Sequence, residues 1–212
     1  MTLTRDVPLE PAQSALLIID VQNFSTKRDG GEFGHLSDAE FEAKYGAFMR
    51  TIWSETIPNI RRLQDAFRAA GSEVIFTNIE SLTKDGRDRS LDYKITGFNV
   101  PKGSHDAQTV DEIAPRDDEI VIPKTSSSVF MSTNIDYVLR NLGIRQLVIV
   151  GLVTDQCVEG AIRDACDLGY LVTQVTDACM TYSDARQASS INAIKGYCRQ
   201  VTTEKIEAEL AR

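Results

Sequence analysis

Three residues of this 212-residue chain have the types needed to open an amide bond: a thiol to attack, a carboxylate to take its proton and a cation to steady both. Asp20 closes the apolar run ALLIID at 15–20, Lys124 follows EIVIP at 119–123, and Cys157 sits in VGLVTDQCVEGAIRDA, six residues past Gly151. Asp20 and Lys124 are 104 positions apart, Lys124 and Cys157 33, so only the fold can bring them together. Cys157 falls where a strand ends and a helical pattern begins. There the helix dipole and first-turn amides favour a thiolate and are positioned to hold the oxyanion of a tetrahedral intermediate. Lys124 is expected to hold that thiol below its ordinary pKa of about 8.5. Each residue also has a plainer use: the aspartate as a turn former or cap, the lysine as a solvated charge, the cysteine as a small buried hydrophobe. Their coincidence at strand ends is what points to chemistry.

The elements that must position them read clearly. Strands are predicted at 15–20, 73–78, 119–123, 146–151, 171–176 and near 199–202, as nearly continuous apolar runs of the kind that parallel strands buried on both faces show. Helical patterns cover about 41–70, 134–142, 157–168, 184–197 and 203–211, and Pro58 predicts a break or kink in the first. Gly71, Gly143 and Gly169 each end a helical stretch just before a strand, as C-terminal caps do. The alternation implies one α/β domain over 1–212: a three-layer, Rossmann-like sandwich with a six-stranded, mostly parallel sheet flanked by helices. Segments 23–40 and 79–115 break the alternation. Both follow strands, which puts them at the carboxyl edge of the sheet, where open α/β folds bind ligands.

Composition narrows the partners. A formal net charge of −8 disfavours nucleic acid and anionic membranes. The first apolar run is six residues long and ends in a carboxylate, so neither a secretory segment nor a membrane span is expected. A cytoplasmic protein is the expectation. The four cysteines, at 157, 166, 179 and 198, contain no CxxC pair and are expected to stay reduced, with 166, 179 and 198 structural.

The stretch ALLIIDVQNFS, and then IPKTSSSVFMSTNIDYVLRNLGIRQLVIVGLVTDQCVEGAIRDACDLGYLVTQVTDA, resembles the isochorismatase-like cysteine hydrolases, most clearly over about 15 to 180. The resemblance implies a catalytic triad of Asp20, Lys124 and Cys157. It also implies a non-proline cis peptide at Val153–Thr154 that aims the Thr154 and Cys157 amides at the oxyanion. With the cysteine present, it favours C–N hydrolysis of a small amide or ureide through a covalent intermediate, with release of ammonia. It further implies a homodimer or homotetramer. Nicotinamidases of similar fold add a metal site built from an aspartate and histidines after the second strand; the corresponding segment here, FTNIESLTKDGRDRS, has no histidine, and the chain has only His35 and His105. No metal and no cofactor are expected.

For the substrate, VPKGSHDAQTVDEIAPRDDEIVIPK is similar to ureidoacrylate amidohydrolases, which points to a ureido or carbamoyl compound; shape imposed by the fold alone would account for the likeness equally well. Asn23, Asn78 and Glu80 lie just past strand ends and suit either substrate amide contacts or turns. Arg87, Arg89 and Lys94 are candidates to bind a substrate carboxylate, or belong to a solvated loop of mixed charge. Tyr93 and Phe130 either line the pocket or pack. Two other readings stay open: vinyl-ether hydrolysis of the isochorismate type, which needs no thiol, and a non-catalytic redox-sensing oligomer.

Overall fold

A computed structural model describes residues 4–211. Six strands, β1 (Ser14–Ile19), β2 (Glu73–Ile79), β3 (Ile120–Lys124), β4 (Gln146–Leu152), β5 (Leu171–Met180) and β6 (Arg199–Val201), form one sheet in the order β3-β2-β1-β4-β5-β6. Every neighbouring pair runs parallel. All residues of β1 and β4 are buried, as expected of central strands covered by helices on both faces. Chain order reverses between β1 and β4, and at such a switch point the carboxyl ends of the strands open into a crevice.

The flanking helices are α1 (Asn23–Thr26), α2 (Asp38–Thr51), α3 (Ile57–Ala69), α4 (Leu91–Thr96), α5 (Val129–Ser132), α6 (Ile135–Asn141), α7 (Glu159–Asp167), α8 (Asp184–Ile194) and α9 (Thr203–Leu210). Helix α2 begins earlier than apolar periodicity suggests because Ser37 and Glu40 form a reciprocal capping box. A wide turn over Ile52–Thr56 joins α2 to α3 and absorbs Pro58, which sits in the first turn of α3, where a missing N–H costs nothing. No helix among the described residues is long and apolar enough to cross a membrane.

Two features of the sheet depart from the sequence reading. Strand β5 does not stop at 176: it runs to Met180, pairing again with β4 at Gly151–Cys179 and Leu152–Met180 beyond an irregularity, so Cys179 lies within the strand rather than after it. The segment 79–115 is not wholly irregular. It carries α4 and two single turns, His105–Ala107 and Asp111–Ile113, and Thr109 bridges antiparallel to Gln22. Gln22 joins the two long segments, donating to the carbonyls of Ile79 and Asp106 (both 3.0 Å) and accepting from the Ile79 amide (2.7 Å).

Candidate active site

Asp20 is the first residue beyond β1 and adopts a left-handed backbone conformation, φ +53°. Asparagine and aspartate tolerate that region best among residues with a side chain. Its amide donates to the Thr77 carbonyl at 2.8 Å, which fixes the turn to β2, and the Thr77 hydroxyl lies 3.5 Å from Oδ1. Lys124, the last residue of β3, extends past the end of β2 to reach it: Nζ is 2.8 Å from Asp20 Oδ2, 2.8 Å from the Ser126 carbonyl oxygen and 3.4 Å from Cys157 Sγ. Cys157 is carried by the helical turn Thr154–Val158 that leaves β4 and continues into α7. The three residues foreseen from strand ends therefore meet, all buried, with Lys124 wholly so.

Burial governs the charges here. It raises the Asp20 carboxyl above the usual range, although Lys124 opposes the shift, so the carboxylate is the more ready to take a proton. Burial alone would lower the Lys124 ammonium, but Asp20 and then Cys157 hold it above its ordinary value, so it stays cationic. The Cys157 thiol is pushed up to about 12 by burial, and Lys124 only partly offsets this. The expectation of a thiol titrating below about 8.5 is thus not met: burial outweighs the Lys124 charge, and Asp20 beside the thiol adds to the rise.

The turn ahead of Cys157 also differs from expectation. The cis peptide is Leu152–Val153, not Val153–Thr154. Thr154 already belongs to the helical turn, whose cap is Val153, with the Val153 carbonyl accepting from Gln156 and Val158; the non-trans bond lies one residue earlier, where β4 leaves the sheet. Val153 and Cys157 border the cavity above the three residues, whereas Thr154 is fully buried and does not.

That cavity has a volume of about 470 Å³. Its apolar wall includes Phe24, Ile79, Phe98 and Leu152, and its polar lining includes Gln22, Glu32, Ser127 and Tyr182. Of the substrate contacts suggested by sequence, only Tyr93 lines it; burial pushes the Tyr93 phenol up, so it stays neutral. Asn23 instead donates to the His105 carbonyl, Asn78 to the Ala107 carbonyl and Thr109, and Glu80 accepts from the Gly103 amide. Arg87 points outward to Asp85, and Lys94 is exposed. Arg89 ties down its own loop through the Gly86 and Phe98 carbonyls. Phe130 packs against Tyr170.

Sequence reasoning missed Glu32 and Tyr182, whose hydroxyl donates to the Glu32 carboxylate. The available signal was the glycine pair before Glu32. A Cβ on Gly30 would meet the Asn23 and Phe24 carbonyl oxygens at 2.4 and 2.5 Å, and one on Gly31 the Phe24 ring at 2.6 Å, so only glycines let this segment lie against α1 and turn Glu32 inward.

The isochorismatase domain model matches residues 14–205, and the chain belongs to the isochorismatase family of hydrolases. Two relatives, both ureidoacrylate amidohydrolases RutB, from Rhizobium rhizogenes and Agrobacterium fabrum, are each 35% identical over 81% of this chain, covering 72% and 78% of their own lengths. Among solved structures, a cysteine hydrolase from Pseudomonas syringae pv. phaseolicola has the same fold (TM-score 0.82, 23% identity, 97% of this chain and 95% of that one). N-carbamoylsarcosine amidase from Thermoplasma acidophilum superposes with a TM-score of 0.69 at 26% identity, over 91% of this chain and 97% of that one.

Proposed function

We propose that this protein is a cysteine-dependent amidohydrolase that cleaves the C–N bond of a small amide or ureido substrate. The observation that carries the reading is the buried contact of Lys124 with both Asp20 and Cys157, the two of the three that line a cavity. The amidohydrolase names of the relatives support the bond type.

In this reading the Cys157 sulfur attacks the substrate carbonyl carbon while its proton passes to Asp20. Proton loss concerted with attack suits a thiol that is neutral at rest. The carbonyl electron pair moves onto oxygen, which accepts hydrogen bonds from the main-chain amides of Cys157 and Val153. Val153 takes the part first expected of Thr154, because it borders the cavity and Thr154 does not. Asp20 returns the proton to the departing nitrogen and the C–N bond breaks, leaving an acyl- or carbamoyl-thioester. Water, deprotonated by Asp20, hydrolyses that ester and the sulfur regains its proton. A primary amide releases ammonia in the first half; a ureide releases its amine first, and the carbamate then falls to ammonia and carbon dioxide. Lys124 remains an ammonium throughout and keeps the Asp20 proton exchange next to a fixed positive charge.

The test is ammonia release from ureidoacrylate, N-carbamoyl amino acids, biuret, nicotinamide and aliphatic amides, run beside Cys157→Ala. Turnover that falls by at least about 10³-fold in the variant is the expected result. A variant as active as the parent on any substrate would sink the proposal.

A further inference from the structure

Few charged side chains line the cavity wall. Asp20, which lines the cavity, is neutralised by the fully buried Lys124 behind it. The other charged side chains lining the cavity are Glu32 and Asp92, and among the described residues no arginine or lysine lines it. The cations that sequence offered for a substrate carboxylate are engaged elsewhere or exposed: Arg87 on Asp85, Arg89 on two loop carbonyls, Lys94 on the outer surface.

Glu32 is a built feature of this wall. Its segment is pinned by the Gly31 amide on Asp106 (3.2 Å), by the Glu32 amide on the Phe24 carbonyl (3.2 Å) and by Arg28, which donates to the carbonyls of Phe33 (3.0 Å) and Leu36 (2.7 Å). Phe33, fully buried, anchors the next position against Phe41, Tyr45 and Phe48. Tyr182 is held in turn by edge contacts with Tyr45 and Phe48. Its hydroxyl satisfies one Glu32 oxygen and leaves the carboxylate acceptor capacity toward the cavity.

We propose that Glu32, oriented by Tyr182, accepts a hydrogen bond from an N–H group on the part of the substrate away from the scissile bond, so that the substrate is a neutral or cationic amide or ureide and not one bearing a carboxylate. A substrate anion would be desolvated beside Glu32, with the exposed Asp92 adding like charge and no free cation to meet it. The inference rests on the amidohydrolase reading for its chemistry, and it separates this chain from relatives named for ureidoacrylate, whose substrate carries a carboxylate.

The experiment compares matched pairs, N-carbamoylglycine with N-carbamoylglycinamide and ureidoacrylate with its amide, at about pH 8.5 so that Glu32, pushed up to about 7 by burial, is ionised. A second arm needs no turnover: the rates at which neutral iodoacetamide and anionic iodoacetate alkylate Cys157, each divided by its rate on a free small thiol. The neutral member is expected to win by at least about tenfold in both arms, with Glu32→Gln narrowing the ratio and Glu32→Lys reversing it. A purely structural Glu32 would instead lower both members of each pair alike. Preference for the carboxylate substrate, or alkylation ratios that Glu32→Gln and Glu32→Lys do not move, would overturn the proposal. A silent substrate panel with the alkylation ratio intact would count against the amidohydrolase and leave the cavity's charge selection standing.

Discussion

Gly151 of β4 lies directly opposite Ile19 of β1, and a Cβ added to the glycine would come within 2.1 Å of the Ile19 carbonyl oxygen. The two central strands thus leave no room for a side chain on Gly151, one residue before Asp20 in register, where β4 also heads toward Cys157. Gly151 adopts φ +120°, which side chains rarely tolerate. Gly151→Ala is expected to cost about 2–4 kcal/mol in urea unfolding and to remove activity by spreading the two strand ends. An alanine variant with unchanged stability would mean that β1 and β4 can separate freely.

The buried Asp20–Lys124 pair makes a double-variant prediction. Lys124→Met leaves Asp20 without its cation, and Asp20→Asn leaves Lys124 without its anion, so each single change is expected to destabilise by about 3–5 kcal/mol. The two together should cost clearly less than their sum. Strict additivity in a denaturant cycle would argue that the pair does not interact.

Thiol reactivity gives the pH prediction. With Cys157 pushed up to about 12 by burial, the thiolate fraction in the empty site increases close to tenfold for each pH unit above neutrality, so iodoacetamide inactivation should keep accelerating well past pH 8.5. A plateau at or below about pH 8.5 would show that Lys124 outweighs burial after all.

Away from the site, Arg199 forks onto Glu209 at 3.0 and 2.9 Å and joins β6 to α9, with the Leu9 amide on the same carboxylate. Burial would raise the Glu209 pKa, but Arg199 holds it below the ordinary range. A folded-state pKa lower than the unfolded one gives stability that is complete above the unfolded value of about 4.3 and fades as pH falls through the folded one. Glu209→Gln should therefore be less stable at neutral pH and lose less on acidification than the parent. Parallel acid-unfolding curves would refute this.

Arg87 and Arg89 separate two roles that sequence merged. Arg87→Ala should change stability by less than about 0.5 kcal/mol and leave turnover intact, since its one ion pair is solvent-exposed. Arg89→Ala should loosen 86–98 and increase protease cleavage there, because it removes donors to the Gly86 and Phe98 carbonyls. Equal behaviour of the two variants would contradict the structure.

Residues at strand ends were legible because burial on both faces writes strands as apolar runs, and a polar residue terminating such a run is placed on the sheet edge by period alone. Asp20 and Lys124 meet for that reason, and Cys157 joins them from the helical turn that follows β4. The strand limits failed most at β5, where the predicted strand stops at 176 but the chain runs on to Met180 and pairs with β4 a second time. Loop side chains were not legible in the same way. Nothing periodic tells whether Arg89 faces the cavity or its own backbone, and charge type alone suggested the wrong partners. Glu32 needed the observation that two glycines let its segment lie flat on α1, which is a matter of packing distances.

The three groups of the proposed triad leave the sheet from β1, β3 and β4, and so enter the growing chain in the order carboxylate, cation, thiol. A polypeptide made from its N-terminus therefore has both partners of the sulfur synthesised before the sulfur itself. No truncated product ending ahead of β4 carries the thiol proposed as nucleophile, and that thiol is never made without the carboxylate and the ammonium upstream. Chains that stop before Cys157 are in that sense chemically silent under the proposed mechanism, whichever of the first three strands they contain.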